Sequence, residues 1–243
     1  MRCVCPSRPW VRGGGCAGSG PALPEGADTV STLLVHEIYR SIQGESTRAG
    51  RPCVFVRLTG CDLRCAWCDT EHAFHGGTRR AVEDIVAEAL GLGEGLVLVT
   101  GGEPLLQEAV HDLLRQLLDA GREVMIETGG HRDIRGVDER VLRVVDVKTP
   151  SSGESGKVFR ANFDPPRKTD EVKFVIADRA DFDWSLGRIR DFRLEGRCTI
   201  LFSAVSGRLA PSLLAEWLLA SGIEATLQLQ LHRILWPGVL REV

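Results

Sequence analysis

The residues with the most evident chemistry are Cys61, Cys65 and Cys68, three thiols within eight residues at spacings of four and three. They follow directly on an apolar, strand-like run from Cys53 to Leu58. Thiolates are soft ligands, suited to iron–sulfur clusters, zinc or copper(I). A closed structural zinc site takes four ligands, and ferredoxin 4Fe–4S clusters take four cysteines. Three clustered ligands therefore suggest a metal centre with one position left open for a reactant. The bland alternatives are a three-cysteine zinc site completed by a distant histidine, or an accidental grouping of thiols.

A second stretch, Thr100-Gly101-Gly102-Glu103-Pro104, follows about thirty residues later, at the end of the apolar run Leu96 to Val99. Glycines at a strand end let backbone approach a ligand closely. Backbone carbonyls there, with Glu103, could accept hydrogen bonds from an ammonium group. On its own the segment could equally be a plain strand-to-helix turn.

The elements that must carry these residues alternate along the chain. Leu33 to Tyr39 and Cys53 to Leu58 read as strands, and Ala81 to Leu90 carries helical apolar spacing. Leu96 to Val99 is the next strand; Pro104 then opens a helix whose buried stripe runs from Leu105 to Leu118, stopped by Gly121. Strands follow at Glu123 to Glu127, Val141 to Val147 and Glu171 to Ile176, then an ambiguous segment around Trp184 to Phe192. Cys198 to Phe202 is a strand, Pro211 to Ala220 a helix, and Ala225 to Leu231 a final strand. Alternation of this kind implies parallel βα units, with sites at the strand C-termini. Periodicity does not separate a barrel from a doubly wound sheet.

Composition bounds the rest. At 243 residues, with 43% hydrophobic and 26% charged content, the chain suits one soluble globular domain. A net charge of −3 with no long basic run argues against nucleic acid as a partner. No apolar run approaches the roughly eighteen residues of a membrane span. The eight cysteines are unevenly spread and no secretion signal is visible, so a reducing, cytoplasmic setting is expected. Residues 1–30, rich in Pro and Gly, are expected to be a flexible extension, with residues 31–243 as the ordered domain. Cys53 and Cys198, inside apolar strands, are expected to be small core residues.

The CxxxCxxC spacing followed by GGEP in this order resembles the radical S-adenosylmethionine (SAM) enzymes. That resemblance implies an α/β fold, a single-domain partial (open) TIM-like barrel. It also implies that Cys61, Cys65 and Cys68 hold a 4Fe–4S cluster whose fourth iron is chelated by SAM, the source of a 5′-deoxyadenosyl radical. Further segments narrow the family: Gln43-Gly44-Glu45, Phe55 to Cys61, Trp67-Cys68-Asp69-Thr70, Asp146 to Gly153, and Leu229-Gln230-Leu231-His232. Together, from Leu33 to Trp236, they resemble 7-carboxy-7-deazaguanine synthases. The implied reaction converts 6-carboxy-5,6,7,8-tetrahydropterin to 7-carboxy-7-deazaguanine with loss of ammonia, using Mg²⁺ and regenerating SAM. Two other readings are a radical SAM activating enzyme acting on a protein partner and a non-catalytic zinc or iron–sulfur module.

Residue by residue, the resemblance implies SAM contacts at Ala66, Trp67, Cys68, Gly102, Glu103, Asp146, Val147 and Lys148. It implies substrate contacts at Ile42, Gln43, Gly44, Glu45, Arg57 and Thr100, and a magnesium ligand at Thr70. From the residues alone, Arg57 could be an outward-facing strand arginine, Thr70 a helix cap and Trp67 a shield for the cluster. His232 reads as part of a C-terminal packing and closure motif. A homodimer and an electron donor such as flavodoxin or ferredoxin complete the implied partners.

Overall fold

The computed structural model describes Met1, residues 30–239 and residues 241–242. The expected N-terminal extension lies almost wholly outside the described residues. Nine strands form one sheet: β1 (Thr32–Ile42), β2 (Pro52–Leu58), β3 (Thr78–Ala81), β4 (Leu96–Gly101), β5 (Glu123–Thr128), β6 (Leu142–Asp146), β7 (Glu171–Ile176), β8 (Thr199–Ala204) and β9 (Thr226–Gln228). Their order is β3-β1-β2-β4-β5-β6-β7-β8-β9, open at both edges. From β2 onward that row is parallel, whereas β1 pairs antiparallel with β2 and with β3. The expected open barrel is therefore observed, with an antiparallel hairpin added at its leading edge.

Helices α1 (Val82–Leu92), α2 (Val110–Asp119), α3 (Arg179–Phe192), α4 (Pro211–Ser221) and the short α5 (Leu231–Leu235) complete the chain. The two-residue period of the strands sorts side chains to opposite faces. Val54, Val56, Leu58, Val97, Val99, Val124 and Ile126 point outward into the main core, which Ile85, Leu113, Leu117, Phe182 and Leu214 of the helices complete. The alternate positions point inward. Near the start of the strands they form a small apolar floor of Tyr39, Cys53, Phe55, Leu96, Leu98, Met125 and Val144. Towards the strand C-termini the same face becomes polar, and that is where a site can sit. Cys53 is the core residue expected, and half-buried Cys198 packs against the main core.

Two expectations need correction, and one segment left open is resolved. The helix placed from Pro104 begins only at Val110; Pro104–Leu106 is a single 3-10 turn. The reason is long-range: the Gln107 side chain bonds Leu34 N at 2.7 Å, Leu34 O at 3.1 Å and Thr59 O at 3.1 Å, holding its own backbone extended. The ambiguous Trp184 to Phe192 segment is the C-terminal part of α3, capped at its start by Asp178. The last strand stops at Gln228, after which the chain turns into α5.

A buried ion pair ties β6 to the loop before β7. Arg143 donates to Asp170 at 2.7 and 2.5 Å and to Ile134 O at 3.0 Å, with side-chain exposures of 4% and 2%. Replacing Arg143 by Ala would strand the Asp170 charge, so a loss of about 3–5 kcal/mol is expected. Urea unfolding followed by circular dichroism checks it; a midpoint unchanged from wild type contradicts it. Among the described residues no helix is long and apolar enough to cross a membrane.

Candidate active site

The polar end of the inner face opens into a cavity of about 310 Å³. Arg57, Thr100, Glu127, Asp146 and Lys173 line its wall from five successive strands of the row, β2 and β4 to β7. The cysteine loop and Gly101-Gly102 form its rim at the ends of β2 and β4. Gln43, Gly44 and Glu45, from the loop between β1 and β2, close it on another side with Gln230, His232 and Arg233.

Cys61, Cys65 and Cys68 are all free, half-buried and on this cavity. Burial raises the Cys61 thiol and pushes Cys65 up to about 11. Metal coordination would overcome that by stabilising the thiolates. Leu63 N–H already donates to Cys61 Sγ at 3.4 Å. Three thiolates on one zinc ion would lie about 3.8 Å apart, given Zn–S distances near 2.3 Å. Among the described residues, the only Cys, His or carboxylate group with donor atoms within 4.8 Å of one another is His36, Glu37 and His72. The three thiols are not gathered that closely and stand around the open cavity.

Gly102 lies against the cysteine loop. A Cβ on it would stand 2.6 Å from Cys61 Cβ and closer still to Gly60 O, so only glycine fits. Glu103 N–H donates to Gly60 O at 2.8 Å, stitching the two loops together. The Glu103 carboxylate is 1% exposed and already accepts from Leu105 N at 3.0 Å, Thr128 Oγ1 at 2.8 Å and Gly129 N at 2.8 Å. These contacts brace the strand ends around Glu103. Across the cavity Asp146 pairs with Lys148 at 2.9 Å through Oδ2, while its Oδ1 is buried without a partner. An unpaired buried acceptor on the cavity wall suits a ligand rich in hydrogen-bond donors. Burial works against the Lys148 ammonium, but the charges of Asp146 and Cys65 with the Asp146 hydrogen bond together raise its pKa.

A charged network fills the opposite wall. Lys173 Nζ contacts Glu45 at 2.8 Å, Glu127 at hydrogen-bond distance and Asp146 at 3.6 Å. Glu45 also accepts from Gln228 and Gln230, each at 2.9 Å. Burial alone would raise Glu45, but the Lys173 charge and hydrogen bond, with help from Gln230, hold it at about 2. Glu127 moves the other way, raised by burial despite Lys173. The two carboxylates of one site are thus shifted in opposite directions.

Comparison with known proteins gives the arrangement its context. Residues 55–197 match the family described as the Radical SAM superfamily. A protein of Koribacter versatilis called 7-carboxy-7-deazaguanine synthase is 42% identical over 219 residues, covering 84% of this chain and 97% of the relative. One of the same name from Chlorobaculum tepidum is 43% identical over 220 residues, covering 88% and 99%. The chain belongs to the 7-carboxy-7-deazaguanine synthase family. The crystal structure of QueE from Escherichia coli has the same fold, with a TM-score of 0.69 at 22% identity, covering 82% of this chain and 94% of that one.

Most residues singled out from resemblance to the synthase family meet at this one cavity: Ile42, Gln43, Gly44, Glu45, Arg57, Trp67, Thr70, Thr100, Gly102, Glu103, Asp146 and Lys148 line it beside the three cysteines. Two do not. Ala66 is exposed and donates its N–H to Ser152 O at 3.0 Å, and the Val147 side chain is in the main core. Thr70 precedes a 3-10 turn without capping it, so its hydroxyl, 3.7 Å from Cys68 Sγ, is available. His232 packs on Gly44, where a Cβ would meet its Nδ1 at 2.6 Å, and Leu231 N–H donates to Gly44 O at 3.0 Å. The C-terminal motif therefore does close the site. Sequence reasoning missed Glu127, Lys173 and Gln228; their signal was a charged or amide side chain on the inward phase of a strand.

Proposed function

We propose that this chain of the synthase family converts 6-carboxy-5,6,7,8-tetrahydropterin to 7-carboxy-7-deazaguanine with loss of ammonia. The observation that carries the reading is the convergence on one cavity of three free thiols with Gln43, Glu45 and Arg57. Cys61, Cys65 and Cys68 would hold the 4Fe–4S cluster. Gly102, Trp67, Asp146 and Lys148, with backbone of Ala66, Val147 and Glu103, would hold SAM. When bound, these groups supply a carbon-centred radical able to take hydrogen from an unactivated C–H bond.

The rest of the work falls to the chain itself. Arg57 offers a planar fork to the substrate carboxylate. Thr70 adds a hydroxyl to a Mg²⁺ ion that substrate and water would mostly coordinate. Glu45, held ionised, accepts from the amino and amide donors of the pterin, while Gln43 and Thr100 add neutral partners. Glu127 takes the proton lost as the pyrrole ring forms, and Lys173 keeps its own charge throughout. The floor of Tyr39, Phe55 and Leu98 would give the flat pterin ring an apolar surface to lie against. A homodimer in the cytoplasm, reduced by a flavodoxin or ferredoxin, is the setting this reading implies; residues 1–30 would be an extension outside the catalytic domain.

The test is anaerobic reconstitution with iron and sulfide, then incubation with reductant, SAM, Mg²⁺ and 6-carboxytetrahydropterin. The expected product is 7-carboxy-7-deazaguanine. A loaded protein that cleaves SAM yet leaves the pterin unchanged contradicts the substrate assignment and favours a protein-activating enzyme. A colourless, zinc-loaded protein favours the binding module.

A further inference from the structure

Arg57 is gripped from behind by two residues that none of the sequence motifs include. It stands directly opposite Glu37 across the antiparallel β1–β2 pair, with Tyr39 opposite Phe55. That register depends on a β-bulge between Val35 and Glu37. In a regular, unbulged ladder running up from Val35↔Leu58, His36 and not Glu37 would stand against Arg57. The bulge delivers a carboxylate to the one inward-facing arginine on the strand.

The contacts are directional. Arg57 Nε donates to Glu37 Oε1 at 2.7 Å, and Arg57 Nη2 donates to Tyr39 Oη at 3.1 Å. The side chains of Arg57 and Glu37 are 12% and 11% exposed. A guanidinium carries five N–H donors in a fixed plane. Two are used along the Nε side, which leaves the end-on pair, one N–H from each Nη, for a carboxylate arriving from the cavity. Burial raises the Tyr39 hydroxyl, so it stays a neutral partner. We infer that Glu37 and Tyr39 are positioning residues that fix the Arg57 plane and orient its end-on fork, so that β1 sets the preference for a carboxylated substrate. The inference rests on the reading of Arg57 as the carboxylate grip.

The same neighbourhood has a competing use. His36 Nδ1 and His72 Nε2 are buried without a hydrogen bond, although His72 Nε2 stands 3.6 Å from Glu37 Oε1, and with Glu37 their donor atoms lie within 4.8 Å of one another. A neutral imidazole pair with a carboxylate is a zinc-type donor set. The Glu37 charge, however, is already matched by Arg57, and a divalent ion there would place two further positive charges beside a buried guanidinium. The brace is the arrangement the contacts favour, and zinc becomes an outcome to test.

The experiment compares reconstituted wild type with Glu37→Gln, Glu37→Asp and Tyr39→Phe. Glu37→Gln is expected to raise KM for the carboxylated pterin by about tenfold to a hundredfold, with a smaller change in kcat, because a misaligned clamp costs about that much. Tyr39→Phe should show a weaker effect of the same kind, and Glu37→Asp should recover part of the loss. A kcat decrease with KM unchanged overturns the inference. So does one zinc per chain in the wild type that is lost in His72→Ala. An independent readout is the Arg57 Nε–H resonance in ¹⁵N-labelled protein, identified by its loss in Arg57→Lys. Its protection from exchange should fall in Glu37→Gln, where a neutral amide oxygen replaces the charged acceptor. That signal tests the brace even if the wild type cleaves SAM and fails to convert the pterin, a result that would count against the substrate assignment instead.

Discussion

Lys173→Met lowers kcat/KM by about thirtyfold to several thousandfold, the range expected when one partner of a buried, hydrogen-bonded charge set is removed. Lys173 is 6% exposed and faces Glu45, Glu127 and Asp146 at once. Like charges near 4 Å repel by about 4 kcal/mol at a surface-like effective dielectric. Without the ammonium, three carboxylates share Lys148 and two glutamine amides, so the cavity must take up protons. Glu127, already raised by burial, takes one first and can no longer accept a proton from substrate.

The stability consequences have opposite signs for the two glutamates. Glu45 is depressed to about 2, so its contribution is fully present above the ordinary carboxylate pKa near 4.3. It is lost as pH falls from there to about 2. Glu127 is raised, so its protonated form favours the fold at low pH, and stability declines as pH rises through its shifted value. Lys173→Met removes the main support of the first effect and strengthens the second. Urea unfolding at pH 4 and pH 7 should show a larger loss at pH 7, where both carboxylates must ionise. Lys173→Arg keeps the charge and should recover stability better than turnover. Equal losses at both pH values, or turnover within about twofold of wild type, would sink the electrostatic account.

How much of this was legible before the structure depends on what each residue had to do. Cys61, Cys65, Cys68 and Gly102 were legible because their residue types and spacing are rare, and for Gly102 because no side chain fits beside Cys61. Outward positions such as Val54, Val56 and Leu58 were legible because burial against helices demands apolar side chains on one phase. Lys173 and Glu127 were not, since a charged residue on alternate strand positions looks the same whether it faces solvent or a cavity. Only the register of β5, β6 and β7 brings them together. The strand β3 carries Thr78-Arg79-Arg80-Ala81, with no apolar alternation, and exists because it pairs with β1. The late start of α2 was set by Gln107 reaching residues 48 and 73 positions away, which no local window sees.

The glycine pair shows the same distinction in its sharpest form, and Gly102→Ala has the second large expected effect. Gly102 does not occupy the left-handed region, so its constraint is space, not backbone conformation. Its missing side chain would meet Cys61 Cβ at 2.6 Å, and Gly60 backbone closer still, where ordinary carbon contacts begin near 3.5 Å. Backbone cannot rotate away as a flexible side chain can. The strain must separate the Gly101-Gly102 segment from the cysteine loop, against the bonds Gly102 N to Leu58 O at 3.3 Å and Glu103 N to Gly60 O at 2.8 Å. Cys61 moves with that loop. A displacement of about 1 Å there is expected to cost about a hundredfold in turnover. It should also lower the iron retained per chain and the affinity for SAM, measured by iron analysis and equilibrium dialysis. Gly91→Ala is the control: it lies within α1 with nothing within 4 Å of an added Cβ, and alanine there should stabilise the helix by about 0.5–1 kcal/mol. If Gly102→Ala retained wild-type iron and SAM affinity while Gly91→Ala behaved as expected, the glycine segment would be a strand-to-helix turn and nothing more. The close approach of Gly102 to Cys61 argues otherwise: the two motifs are halves of one rim, and the space between them is kept free of side chains.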